Sequence, residues 1–228
     1  MIVAMHQPSF LPWLGFFYKM AKADLFVYLD TLAYSKGSYI PRVRIKTHNG
    51  PRWLTVPVLH TGTVGGRILD ARCGGRPDWR KRLVDGLKGS YLKSPHYRPY
   101  GERIAEIILA SGESLAEMNI QLITYIAGEL GIRTPVKRAR DMNIQPQADA
   151  TDRLIAVCKI VGADVYLSGF GGAKYQDEAR YAQNGIKLVY SDFRHPTYLQ
   201  GHGEFVPGLS VVDLLFNCGQ NSPAILGL

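Results

Sequence analysis

Cysteine is scarce in this sequence: Cys73, Cys158 and Cys218 are the only three in 228 residues. No two stand at C-x-x-C spacing. That argues against a thiolate zinc site and a disulfide framework, and it points to a reducing compartment, read here as the cytoplasm. Long apolar runs are also missing. None approaches the roughly 18 residues needed to cross a bilayer, so no membrane insertion is expected. The start, Met1-Ile2-Val3-Ala4-Met5, has no basic leader or extended apolar segment and does not read as a signal peptide. No low-complexity tract appears. The sequence contains no H-E-x-x-H, no G-x-x-x-x-G-K-[ST] and no zinc-finger or RNP motif, so neither metal nor cofactor is expected.

What remains is a chain that is 46% hydrophobic and only 20% charged, enough apolar material for one sizeable core. The expectation is a single α/β domain over residues 1–228, with a helical insertion or cap at 77–131. The net charge of +8 favours anionic partners. Its densest cluster spans residues 76–88, with a second at Lys137, Arg138 and Arg140.

The apolar run 2–5 reads as a buried strand ending at His6-Gln7-Pro8, because proline cannot donate to a ladder. Helical spacing then begins at Leu11, with Pro12 in the first turn. A second run, 25–29, ends at Asp30, completing a βαβ unit. Alternation at 43–46, a turn at 48–51 and a return strand at 53–58 predict a β-hairpin. Gly62, Gly65 and Gly66 mark a loop, and Ile68-Leu69 a further short strand. Three helices are expected at 78–87, 100–110 and 115–130. Another follows at 151–161, then strand 165–168, a short helix at 176–183, strand 186–190 and an apolar helix 211–216 capped by Ser210. The fold class is therefore α/β: a Rossmann-like, mostly parallel sheet with a β-hairpin and a helical insertion.

Parallel α/β sheets bind ligands beyond the carboxyl ends of their strands. That selects His6 and Gln7, Asp30, and Ser168-Gly169. His6 exchanges protons near neutrality and precedes a helix N-terminus, which favours anions. With Asp30, Ser168 and His195 it makes the catalytic set. The expected substrate contacts are Gln7, Trp13, the row Arg42, Arg44 and Lys46 on one strand face, Gly169, Tyr175 and Asp213. Asp213 is a carboxylate inside an apolar helix and needs a partner, for which one of those cations is the expectation. His202 is a weaker candidate. Cys218 lacks a local base and reads as a bystander thiol.

Four segments together resemble the WbqC-like family: His6-Gln7-Pro8-Ser9-Phe10-Leu11-Pro12-Trp13-Leu14-Gly15, Trp53-Leu54-Thr55-Val56-Pro57-Val58, Tyr166-Leu167-Ser168-Gly169, and Leu209-Ser210-Val211-Val212-Asp213-Leu214-Leu215-Phe216-Asn217. They run in order over nearly the whole chain. The resemblance implies a bacterial enzyme of polysaccharide or natural-product biosynthesis that transfers an acyl or aminoacyl group, glycyl among them, to an amine or hydroxyl. Its partners would be an activated donor, such as a carrier protein or an aminoacyl-tRNA, and a small-molecule or sugar acceptor. It supports His6, Gln7, Trp13, Ser168, Gly169 and Asp213 as site or framework positions. Two alternatives stand beside it. One is nucleotidyl transfer or ATP-dependent activation, although Pro8 and Ser9 replace the glycine and second histidine of an H-x-G-H loop. The other is a non-catalytic module that binds a carrier protein or nucleic acid.

Overall fold

A computed structural model of the chain describes residues 1–35, 37–59, 66–174 and 176–228. Gly62, Gly65 and Tyr175 therefore lie outside the described residues. Five strands form one parallel sheet: β1 (Ile2–His6), β2 (Leu25–Tyr28), β5 (Val136–Arg138), β6 (Val165–Ser168) and β7 (Lys187–Tyr190), in the order β5-β2-β1-β6-β7. The hairpin β3 (Arg42–Thr47) and β4 (Gly50–Thr55) stands apart as an antiparallel pair. The architecture is the Rossmann-like α/β fold that the run order implies.

Side chains alternate across the strands, and each set meets its own layer. Ala4, Phe26, Tyr28 and Leu167 join the core built by helices α1 (Leu14–Ala21), α2 (Trp79–Tyr91), α3 (Tyr97–Ala110), α4 (Leu115–Glu129) and α7 (Val211–Cys218). Val3, Met5, Leu25, Val27 and Tyr166 face the other way. They pack with Leu154, Val157 and Cys158 of α5 (Ala150–Val161) and Tyr181 of α6 (Glu178–Gln183). A short α8 (Ser222–Leu226) closes the chain.

The helices α2–α4 share one hydrophobic core with α1, α7 and the hairpin. Helix α4 reaches the strand ends through Glu117, which pairs with Arg138 and Arg140, and Asn119, which holds Pro8. Four points differ from the sequence expectation. Helix α1 starts at Leu14, not at Leu11, because Leu11 adopts a positive φ of 41° that no helix accommodates. Ile68–Asp70 forms a 3₁₀ turn instead of a strand. Strand β5, three residues at a sheet edge, carries no apolar run and gives no periodic signal. The hairpin turn is also tighter than expected, since Thr47 pairs directly with Gly50, and Pro51 lies within β4.

Candidate functional site

The sheet order fixes where a ligand can sit. From β1 the chain crosses to β2 on one side, while β6 and β7 extend the sheet on the other. The strand connections therefore diverge between β1 and β6, and a crevice opens at their carboxyl ends. His6 ends β1 and Ser168 ends β6.

Between His6 and α1 the chain makes an irregular loop that other elements hold in place. The buried Asn119 of α4 donates through Nδ2 to the carbonyls of Pro8 and Ile40, each at 2.9 Å. Phe10 N–H reaches the same Ile40 carbonyl at 2.9 Å. Ser210, the N-cap of α7, donates through Oγ to the Leu11 carbonyl at 2.7 Å. Buried backbone carbonyls need such donors.

His6 is partly buried. Its Nδ1 lies 2.9 Å from the Gln7 carbonyl, which can only accept, so the proton is assigned to Nδ1 and Nε2 keeps its lone pair. The ring meets Phe16 edge-on at 4.9 Å. Burial, with the nearby Lys19 charge adding to it, lowers the imidazole to about 3, so it is neutral at physiological pH.

Lys19 is a cavity residue that the sequence pattern hid. It sits on α1, 4% exposed, and its Nζ donates to the Met5 carbonyl at 2.8 Å. Burial brings its ammonium down to about 7. The available signal was a lone lysine within Leu14-Gly15-Phe16-Phe17-Tyr18-Lys19-Met20, easily absorbed into an aromatic core stripe.

Three cavities meet at His6 and Trp13. The first, about 380 Å³, is mostly apolar, with Phe10, Phe16, Tyr39 and Arg42 on its walls. The second, about 450 Å³, is lined by Gln7, Lys19, Arg153, Ser168 and the Gly169–Gly172 turn. A small third pocket of about 80 Å³ lies against Lys19 and Phe193. The Trp13 indole is 41% exposed and stands edge-on to Phe193 at 5.3 Å. It rests over Gly15, where a Cβ would come within 2.4 Å of the ring.

The structure thus brings His6, Gln7, Trp13, Ser168 and Gly169 together on the second cavity and sets Arg42 on the first. Ser168 is no free nucleophile: its hydroxyl donates to the Gly169 carbonyl at 3.1 Å and accepts from Gln176 Nε2 at 3.0 Å. Gly172 lets this happen, since a Cβ there would sit 2.4 Å from Ser168 Oγ.

Asp30, expected in the catalytic set, is wholly buried and lines none of these cavities. Its Oδ2 accepts from Arg138 Nε at 2.8 Å and its Oδ1 from the Arg140 N–H at 3.0 Å, so it ties the end of β2 to the end of β5. His195 is likewise occupied at both nitrogens, by the Pro196 carbonyl at 3.0 Å and the Gly208 N–H at 2.9 Å. A ring so engaged has no lone pair left for a base.

The cation row on β3 does share one face, since Val43 and Ile45 point into the core. Its members nevertheless have different duties. Arg42 stacks over the Trp53 ring at 4.3 Å and donates to the Gly37 carbonyl. Arg44 takes the Ser210 N–H on its carbonyl at 2.9 Å. Lys46 is 2% exposed, with Nζ bound to Gln200 Oε1 at 3.1 Å and to the Glu204 carbonyl.

The expected cation–Asp213 pair is replaced by two phenols. Tyr91 and Tyr198 donate to the Asp213 carboxylate at 2.8 and 3.0 Å, and Tyr91 in turn accepts the Lys46 backbone N–H at 2.9 Å. Burial still raises the Asp213 carboxyl above its ordinary range, against the pull of those donors. His202 reaches toward the Ser90 carbonyl at 3.4 Å, and burial pushes the Cys218 thiol up, which opposes a nucleophilic role.

The model of the WbqC-like protein family matches residues 7–225. Over 227 residues the chain is 33% identical to the uncharacterized protein Rv1507c of Mycobacterium tuberculosis, a span covering 98% of this chain and 96% of that protein. It is also 30% identical over 118 residues to a Fragaria ananassa protein named "Putative pinene synthase", 51% of this chain and 38% of that protein. No solved structure matches the chain. Among the described residues no helix is long and apolar enough to cross a membrane.

Proposed function

This chain belongs to the WbqC-like protein family, and we propose that it is an acyl or aminoacyl transferase, glycyl among the groups it moves. It acts on an amine or hydroxyl of a small-molecule or sugar acceptor in bacterial polysaccharide or natural-product biosynthesis, in the cytoplasm. The observation that carries this reading is that His6 and Trp13 stand on the walls of two sizeable cavities at once. A transferase needs two substrates to meet at one proton-accepting group, and a shared wall provides that meeting point.

Nε2 of His6 is the acceptor of the proton. The acceptor's nitrogen or oxygen attacks the acyl carbon, forming the new C–N or C–O bond. Its proton passes to Nε2 and then to the departing sulfur or oxygen as the donor's C–S or C–O bond breaks. An imidazole held near 3 does not carry a proton at rest. It takes one as the tetrahedral adduct forms and releases it at once.

The test is single-turnover transfer of a labelled acyl or glycyl group from a carrier-protein thioester, an aminoacyl-tRNA or an acyl-adenylate to amine and hydroxyl acceptors. At least one donor class gives product, and His6→Ala slows it by about 10²- to 10⁴-fold. Failure of all three donor classes with folded protein overturns the reading.

A further inference from the structure

Positive charge gathers in the second cavity without an acid to match it. Lys19 and Arg153 both line it, and among its described lining residues there is no aspartate or glutamate. Lys19 is buried, yet the group it binds is the neutral Met5 carbonyl. Arg153 is half-buried and, among the described residues, no carboxylate pairs with it. Other arginines nearby are treated differently: Arg138 holds Asp30 at 2.8 Å, and Arg140 holds Glu117 at 3.1 Å.

The nearest acids do not alter this balance. Asp149 and Asp152, at the start of α5, are both engaged by Arg180, the first at 2.6 Å. Ala150, in the first turn of the twelve-residue α5, stands on the cavity wall and adds the partial positive charge of a helix N-terminus. A buried ammonium without a counter-charge is costly and gives up its proton more readily, so an anion from outside the chain beside Lys19 and Arg153 holds Lys19 in its charged form.

The cavity also has an extension. Leu32 and Arg153 are shared with an adjoining trough of about 420 Å³, which Arg67 and Arg140, each paired with an acid, also line. Two cations at the inner end suit a dianion better than a single carboxylate, and the trough leaves room for an elongated body behind it.

We propose that the second cavity is a phosphate-ester site, in which Lys19 and Arg153 hold the phosphate of the arm that carries the acyl group, while the first, apolar cavity receives the acceptor. The assignment of the two cavities to donor and acceptor rests on the transferase reading; the binding of a phosphate ester does not. Phosphate esters of this kind come either from nucleotides or from a phosphopantetheine arm.

Titration calorimetry on the whole protein separates these possibilities, using ATP, 4′-phosphopantetheine and inorganic pyrophosphate, with adenosine and unphosphorylated pantetheine as controls. A phosphorylated probe binds at least about tenfold more tightly than its uncharged counterpart, and added salt weakens it. Arg153→Gln and Lys19→Met each remove at least about tenfold of that affinity and leave the control unchanged. Arg153 is half-exposed, so its variant keeps the test valid if Lys19→Met fails to fold. Preference for ATP assigns the site to nucleotides; preference for the phosphopantetheine assigns it to a carrier arm. Equal affinity for charged and uncharged probes, absence of binding, or undiminished affinity in Arg153→Gln overturns the proposal. Phosphate binding without group transfer sinks the transferase reading alone, and transfer without phosphate binding sinks this inference alone.

Discussion

Ser210 Oγ donates to the carbonyl of Leu11 at 2.7 Å across 199 residues of sequence. The same oxygen accepts the Val212 N–H at 3.3 Å as the cap of α7. One hydroxyl therefore both begins a helix and holds a leucine whose φ of 41° is unfavourable for a branched side chain. That leucine lies in the loop that positions His6 and Trp13.

Ser210→Ala removes the cap and leaves a buried carbonyl without its donor. The expected loss is about 2 kcal/mol, the sum of typical cap and buried hydrogen-bond terms. Urea unfolding checks it. Ser210→Thr, which keeps the hydroxyl, restores more than half, and an unchanged midpoint in the alanine variant would remove Ser210 from this role.

Asn119 is the second clamp, with one amide nitrogen bridging two carbonyls in the core. Asn119→Ala leaves the Pro8 carbonyl without this donor, while Ile40 keeps the Phe10 N–H, and costs about 2 kcal/mol. Because Pro8 is released, ligand affinity at the His6 cavities falls as well. Thermal unfolding and titration of the variant measure the two effects separately.

Lys19 and His6 make stability depend on pH in opposite limbs. The folded-state value of Lys19, near 7, lies below that of an unfolded lysine, so between pH 7 and about 10.4 the unfolded chain binds more protons and stability rises with pH. His6, near 3 when folded and about 6.5 when unfolded, gives a loss of stability as pH falls through that window. Lys19→Met therefore gains most over the parent at pH 7 and below, and the gap closes by about pH 10. Denaturation midpoints across pH 5–10 decide it; a constant gap contradicts the burial of a charged Lys19.

Asp213 moves the other way from a paired surface carboxylate. Its folded value is raised, so the native state holds the proton longer and stability falls as pH rises above the unfolded value of about 3.9. Asp213→Asn removes that slope. Its amide also offers a proton to a phenol already donating inward, so the variant is less stable than the parent at pH 4. Chemical denaturation of both proteins over pH 3–7 shows whether the difference narrows with rising pH.

Gly15→Ala places a methyl where the Trp13 indole lies. Alanine is the better helix former, so stability changes by less than about 1 kcal/mol. The indole shifts, and the partition between the two large cavities with it. Trp13 fluorescence moves, and ligand affinity changes without loss of fold.

Much of the sheet was legible because buried parallel strands are plain apolar runs. Residues 2–5 and 165–168 declare themselves in this way. The cap at Ser210 was equally readable, since a serine before an apolar helical run has a local cause. The cavity members His6, Gln7, Ser168 and Gly169 followed from strand ends, and Trp13 from the opening motif.

What failed were judgements that needed long-range partners. Asp213 plainly required one, but nothing local to it names Tyr91, distant in sequence, over a lysine on β3. Asp30 and His195 have the right chemistry at the right strand end or loop, and only their neighbours show them to be occupied. Asn119 lies in the middle of an apolar helix and was passed over, since a helix face tolerates one polar residue without comment. Lys19 was lost for the same reason.

The position of β1 has a consequence for synthesis. This strand, made long before β6, lies at the centre of the sheet, and β6 at Val165–Ser168 is one of its two neighbours. On the ribosome, β1 can pair with β2 early, but its other edge stays open until β6 has emerged. During that interval an apolar strand presents unsatisfied N–H and C=O groups, an invitation to mispairing. The crevice at its carboxyl end waits on the same step, because Ser168 and the Gly169–Gly172 turn bring its second wall.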